Sequence, residues 1–360
     1  MGLNLDEFWI QFIAAAVKIL VVFAGCANVP PLMVWIERRA PALMQRRRGP
    51  NRVGIFKFRM WGLMQSAADA VKLIWKEEIV PAGAERFFYH IAPIFSLFPS
   101  LLIAAAIPWG HDISLFGSTI SLSIVRVDVG FLYIFAISSL AVYGVTLAGW
   151  SSNNKYSLLG ALRASAQMIS YEIPLGMSLV PIVMIFGTLD LYQIVEAQTS
   201  VLDWGIWRAP VSFVLFLIAM FAETNRAPFD LAEAEGELIA GFHTEYNSFK
   251  FSLFFFGEYV SMFILSALVS ILFFGGWQAP FVSYDTLVSL LGGIPVLATF
   301  VGVATLIIKA SFFMWLFIWV RWTVPRFRYD QLMRLGWNFL LPVGLANIVV
   351  SALILAGLRF

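Results

Sequence analysis

Apolar runs long enough to cross a bilayer recur from one end of the chain to the other, and short polar stretches separate them. A helix rising 1.5 Å per residue needs roughly 20 apolar residues to span the hydrocarbon core. By that measure the pattern predicts eight transmembrane helices, near residues 8–36, 87–109, 129–150, 166–187, 207–222, 251–275, 293–320 and 337–358. The first and seventh are long enough to tilt or project beyond the hydrocarbon, and the fifth is the shortest. Pro30, Pro31, Pro93, Pro99, Pro174, Pro181 and Pro295 fall inside these runs. Each removes a backbone donor, so kinked helices packed on neighbours or on a wet cavity are expected. No repeat of fixed period and no low-complexity tract is visible. The predicted fold class is all-α: one transmembrane domain over residues 1–360.

Composition agrees with that pattern. Hydrophobic residues make up 60% of the chain and charged residues 13%, against about 25% charged in soluble domains. Charge then sets an orientation, because Lys and Arg collect in short cytoplasmic loops. Nineteen of the 24 basic residues lie in the loops joining spans 1–2, 3–4, 5–6 and 7–8, whereas Arg126, Arg208 and Arg359 are all that the termini and the other loops carry. Both termini are therefore expected on the periplasmic side or its equivalent, with loops 37–86 and 223–250 facing the cytoplasm or matrix; a bacterial cytoplasmic membrane is the expected location, ahead of the mitochondrial inner membrane. The N-terminus lacks the charged start and cleavage site of a signal peptide, so its first apolar run is expected to be retained as a span. The lone Cys26 excludes an intrachain disulfide and any cysteine-ligated metal or iron–sulfur centre in this chain. His90, His111 and His243 are scattered, and no metal site is assigned to them.

Against this background two loops stand out. Residues 223–250 hold Glu223, Asp230, Glu233, Glu235, Glu237 and Glu245 with only Arg226 and Lys250 to oppose them. Ionisable groups beside or inside a membrane are costly, so proton or cation handling is the first hypothesis. Glu172 and Glu258 fall inside apolar runs and are candidates for proton relay, since desolvation moves a carboxyl toward titration near neutral pH. Their bland alternative is a protonated acid bonded to a neighbouring helix. Glu233, Glu235 and Glu237 are close in any backbone conformation, so their titrations should couple unless the loop is simply solvated.

The other loop begins Glu37-Arg38-Arg39, passes through Arg46-Arg47-Arg48-Gly49-Pro50-Asn51, and reaches Met60, Met64, Ala67, Val71 and Ile74 at helical spacing. That spacing predicts an amphipathic helix lying in the interface. Asp69 and Lys72 interrupt it from another face, three residues apart, where they can pair. The arginine run reads as an anchor on anionic lipid. Nucleic-acid binding is disfavoured, because no recognition module accompanies the basic patch. Arg38 and Arg321 each read alone as interfacial anchors, and Tyr246, Tyr259 and the many Phe and Trp read as packing.

Several motifs, in order, carry a resemblance. Glu37-Arg-Arg, Gln45, Gly49-Pro-Asn-Arg-Val-Gly54 and Ala68-Asp-Ala-Val-Lys-Leu73 resemble the first cytoplasmic loop of the NADH dehydrogenase subunit 1 family, a membrane subunit of proton-pumping NADH:quinone oxidoreductase, respiratory complex I. Ser152-Asn-Asn-Lys-Tyr156, Gly160-Ala-Leu-Arg163 and Ser170-Tyr-Glu-Ile-Pro174 resemble the family's next loop and span. Glu223-Thr-Asn-Arg-Ala-Pro-Phe-Asp230, Glu245-Tyr246, Glu258-Tyr259 and Pro325-Arg-Phe-Arg-Tyr-Asp330 resemble its later segments. Residues 55–64 depart from the family by being longer and rich in Phe, Lys and Arg.

The resemblance implies an eight-helix subunit beneath a hydrophilic redox arm, forming much of a quinone chamber. Quinone is then the substrate, and flavin and iron–sulfur clusters reside in partner subunits. No catalytic or metal-ligating residue is expected in this chain. Glu37, Arg38, Asp69, Lys72, Arg226, Phe229 and Arg321 are expected at the chamber. Glu172, Glu223, Glu233, Glu235, Glu237, Glu245 and Glu258 are expected to couple quinone chemistry to proton translocation. Expected partners are the hydrophilic quinone-reducing and iron–sulfur subunits, antiporter-like and small membrane subunits, lipid and quinone. The rival reading is a cation- or proton-coupled secondary transporter, against which stand the missing repeat and the placement of most charge in one-sided loops. A purely structural membrane anchor is disfavoured by Glu172 and Glu258.

Overall fold

A computed structural model describes residues 5–54, 60–115, 118–231 and 239–357. It is an all-α bundle. Its helices are α1 Leu5–Met44, α2 Met64–Trp75, α3 Arg86–Ala106, α4 Gly130–Ser151, α5 Lys155–Phe186, α6 Leu191–Glu196, α7 Gly205–Arg208, α8 Pro210–Glu223, α9 Ser248–Phe273, α10 Tyr284–Leu290, α11 Pro295–Thr323, α12 Tyr329–Arg334 and α13 Leu341–Gly357. Seven described helices are long and apolar enough to cross a membrane, and α8 is a shorter apolar helix of 14 residues. The chain is thus a polytopic membrane protein, and α8 lies where the short fifth span is expected. A hairpin pairs Ile113–Leu115 with Ser118–Ile120.

The most enclosed helix is α9, which packs against α3 and α11, while α4 joins α3 to α5 and α8 leans on α5. Close approach explains part of this order. A side chain at Gly144 of α4 would meet the backbone of Phe95 and Ser96 at 2.6–2.9 Å, so the α3–α4 contact requires glycine there. Prolines behave in two ways. Pro30, Pro31 and Pro41 lie within α1, Pro93 and Pro99 within α3, and Pro174 and Pro181 within α5. Pro295 instead begins α11, where its missing N–H costs nothing.

Helix ends depart from the hydrophobic pattern where polar residues find protein rather than water. The first helix continues through Glu37-Arg38-Arg39 to Met44, and α5 starts at Lys155, where Asn154 caps it by accepting from the Tyr156 N–H at 2.9 Å. As the periodicity predicts, α2 forms, but Met60 lies in a preceding turn in which Met60, Trp61 and Gly62 all have positive φ. Hydrogen bonds sort the connections into two ends. At one, the Glu85 N–H donates to the Ser151 carbonyl, Asn154 to Glu245 and the Phe327 N–H to the Pro228 carbonyl. At the other, Lys18 donates to the carbonyls of Ser121 and Ser123, and Lys309 to those of Phe274, Gly276 and Gln278. The basic loops share the first end. In a Cys26→Ala background, cysteines at Asn51 and Asn153 should therefore label from one side of the membrane and one at Ser283 from the other. Labelling of Asn51 and Ser283 from the same face would remove this arrangement.

Candidate functional site

Between the second half of α1, the amphipathic α2, the start of α9 and the end of α11 lies a cleft of about 720 Å³. Its walls are largely apolar, with Val34, Leu73, Phe249, Phe255, Phe256 and Trp322 among them. Ser66 donates to the Pro31 carbonyl at 2.7 Å and so ties α2 to α1. On one wall Arg38 donates to Asp69 at 2.6 Å, and Gln65 donates to the other Asp69 oxygen at 3.2 Å. Asp69 thus pairs with Arg38 rather than with Lys72, which is exposed and does not line the cleft.

The charged wall of the cleft is assembled from four helices and loops. Arg321 and the Tyr259 hydroxyl both donate to the Glu37 carboxylate. Arg226 lies 3.6 Å from Glu37 and 3.5 Å from Glu258, with its guanidinium 4.2 Å over the Tyr259 ring. Only 8% of Arg226 is exposed. Two carboxylates and two guanidiniums here share a largely water-excluded space, so the charge on any one of them is felt strongly by the others. Tyr259, read from the sequence as packing, belongs to this cluster; its place beside Glu258 was the only signal.

The stretch that begins the acidic loop is also not solvated. Residues 224–231 are all buried, and Gln167 of α5 holds them by donating to the Ala222 carbonyl at 2.8 Å and to Asn225 at 3.0 Å. Irregular backbone inside a membrane protein persists only when protein satisfies it. Asp230 accepts from Arg326 at 3.0 Å, while Phe229 stacks between Tyr171 and Phe327 and does not line the cleft. Gln167 carried no sequence signal and Arg326 only its place in the Pro325–Asp330 motif, because their partners are remote in the chain.

From Glu258 the acidic groups continue inward. Glu223 and Glu258 line one cavity of about 40 Å³, and Glu223 borders a second of about 60 Å³ with Ser100, Ser138 and Ser261. One Glu223 oxygen is buried without a hydrogen-bond partner among the described residues, and Glu172 is within electrostatic reach. Buried acids beside small serine-lined cavities suit ordered water and proton exchange. Glu245 is placed apart, accepting from Asn154 at 2.6 Å. Glu233, Glu235 and Glu237 lie outside the described residues. Among those described, no group of acidic, histidine or cysteine side chains is arranged to hold a metal.

The sequence matches the NADH dehydrogenase family over residues 17–352. It is 45% identical to the NADH-quinone oxidoreductase H subunit of Flavobacterium johnsoniae, with 95% of each chain covered. The protein of the same name from Bdellovibrio bacteriovorus is 44% identical over 99% of each chain, and that of Protochlamydia amoebophila is 49% identical over 89% of this chain and 91% of its own. With a match spanning nearly its whole length, the chain belongs to the family of NADH-quinone oxidoreductase H subunits.

Proposed function

We propose that this chain is the quinone-chamber subunit of a proton-pumping NADH:quinone oxidoreductase and transmits quinone chemistry to proton translocation. The observation that carries the reading is the 720 Å³ apolar cleft with Glu37, Tyr259 and Arg321 in its wall and Arg226 and Glu258 directly behind them. An apolar passage suits an isoprenoid tail, and a charged wall responds when the headgroup gains electrons and protons. The redox centres, flavin and iron–sulfur clusters, are assigned to hydrophilic partner subunits, in keeping with the single cysteine. Glu37, Arg38, Asp69, Arg226 and Arg321 hold the charge balance at the chamber. Lys72 and Phe229 stand off its lining and act through neighbours.

In this reading a change of charge at Glu37 alters the pull of Arg226 on Glu258, and Glu223 and Glu172 follow through the small cavities. Glu233, Glu235, Glu237 and Glu245 belong to the same responsive loop. Onward transfer goes to antiporter-like and small membrane subunits. The protein sits in the bacterial cytoplasmic membrane with both termini periplasmic. Where electrostatic coupling carries the signal, no proton need cross this subunit.

A photoreactive quinone analogue tests the chamber. In the intact complex it should label peptides from Arg38 to Lys72 or around Glu223–Phe229, and excess natural quinone should suppress the label. Absence of labelling on this chain, or labelling indifferent to competing quinone, removes the assignment. Alone in lipid, the chain should oxidise no NADH and show no flavin or iron–sulfur spectrum.

A further inference from the structure

At the end of the bundle opposite the acidic loop, a second polar cluster takes no part in the chamber. Arg126 lies 3.6 Å from Asp112 and 3.4 Å from Asp190, with its guanidinium 4.3 Å over the Tyr192 ring. The His111 ring sits 5.5 Å from that of Trp277 and 3.9 Å from that of Tyr284. Four buried polar atoms in this group find no hydrogen-bond partner among the described residues: Nε1 of Trp109, Nε2 of His111, Oδ1 of Asp112 and Nε1 of Trp277. Trp277 is 1% exposed. Native proteins satisfy nearly all such atoms with protein or with ordered water. Here two are pure donors, one is an acceptor, and an imidazole nitrogen serves as either. Water donates two bonds and accepts two, so a short chain of water molecules would satisfy the whole set. Asp112 gives that chain a way out, because its other oxygen faces Arg126 and its side chain is 32% exposed.

We propose that Trp109, His111, Asp112 and Trp277 enclose a hydrated proton-exchange site, with Asp112 at its mouth and the His111 imidazole as the group that takes up and releases the proton. Uptake is transfer of a proton from hydronium to Nε2, leaving a water molecule, and release is the reverse, so no other reactant is consumed. Asp112 and Asp285 act on His111 directly and the Tyr284 ring packs on it. Lys18 of α1 and Arg126 act on Asp112, Arg126 joins it to Asp190 and Tyr192, and Glu196 of α6 acts on Tyr192. Lys18 and Lys309 are turned to backbone carbonyls. Burial lowers the imidazole pKa below its ordinary 6.5, with Asp112 and Asp285 pulling the other way. Trp109 also stacks on Phe263 of α9, one residue from Ile264 in the lining of the cavity that Glu223 borders.

The test uses the intact complex in lipid nanodiscs, labelled with diethyl pyrocarbonate across a pH series and read by mass spectrometry at His111. The reagent attacks neutral imidazole, so wild-type labelling should have its midpoint below 6.5, and Asp112→Asn should shift that midpoint lower still. A His111 that never labels, or a midpoint unmoved by Asp112→Asn, overturns the site. In proteoliposomes with the NADH site outward, the initial pumping rate should bend as the lumenal pH is lowered, and His111→Gln should flatten the bend. An assembled His111→Gln complex with the wild-type bend overturns the functional role. Should that variant fail to assemble, the labelling of wild type and Asp112→Asn still decides. Neither readout depends on where quinone binds, so failure here leaves the chamber reading untouched.

Discussion

Replacing Arg226 with Met should reduce quinone-dependent NADH oxidation to less than about a tenth of wild type, a loss of transition-state stabilisation of at least about 1.4 kcal/mol. The guanidinium sits within 3.6 Å of Glu37 and 3.5 Å of Glu258, almost wholly enclosed. Removing it leaves Glu37 to Arg321 and the Tyr259 hydroxyl and takes from Glu258 the guanidinium 3.5 Å away, in a space that water barely reaches. Breaking a buried pair from one side typically destabilises by about 3–5 kcal/mol. Part of that is relieved if a carboxylate takes up a proton, which is the response the coupling reading requires to be under quinone control. Arg226→Lys keeps the charge but loses the planar fork and its stacking on Tyr259, so its activity should be intermediate. Combining Arg226→Met with Glu258→Gln removes one of the two carboxylates that faced Arg226 and should restore assembly without restoring turnover. Native gels measure assembly, and the ratio of quinone to artificial-acceptor activity measures the membrane step. Wild-type turnover in assembled Arg226→Met complex would show the cluster to be structural only.

The bundle was legible in the sequence because a bilayer imposes a length on every apolar run, and seven of the eight predicted runs form helices that meet it. Boundaries were less legible wherever a polar residue is covered by protein. Glu37-Arg38-Arg39 reads as the end of a span, yet α1 runs on, with Glu37 held by Arg321 and Tyr259, Arg38 by Asp69 and Arg39 by the Trp61 carbonyl. The acidic loop was visible as charge, but not the burial of residues 224–231, which depends on Gln167, Arg326 and Phe327. Partners were the least legible feature. Spacing joined Asp69 to Lys72, whereas the bundle brings Arg38 across to Asp69 and Arg226 across to Glu37. Local spacing reports which residues share a helix face, not which helix that face meets.

The same limit makes Gly160 the most consequential small residue for the acidic loop. A β-carbon there would lie 2.6 Å from Gly241 Cα, 2.7 Å from Gly241 C and 2.8 Å from the Phe242 nitrogen. All three are backbone atoms, so no side-chain rotation relieves the contact. Ser157, one turn earlier on α5, donates to the Phe242 carbonyl at 2.9 Å and holds the loop against that spot. Asn154 holds Glu245 a few residues on, and the Tyr89 hydroxyl donates to the Glu245 carbonyl at 2.8 Å. Gly160→Val must therefore push the 241–246 backbone off α5 and break these bonds together. Overpacking a tight contact usually destabilises by about 1–3 kcal/mol, and a backbone wall with three coupled hydrogen bonds places this variant at the upper end. Assembled complex should fall sharply, and the remainder should pass electrons to an artificial acceptor while losing most quinone-coupled pumping. Gly176→Ala on the same helix is the control, since its nearest neighbour is a Phe135 ring atom at 4.0 Å and helix propensity favours alanine. It should behave as wild type or slightly better in thermal unfolding of the complex. If Gly160→Val also assembles and pumps normally, the seating of the acidic loop on α5 does not set its function, and the carboxylates must be positioned by a partner subunit instead.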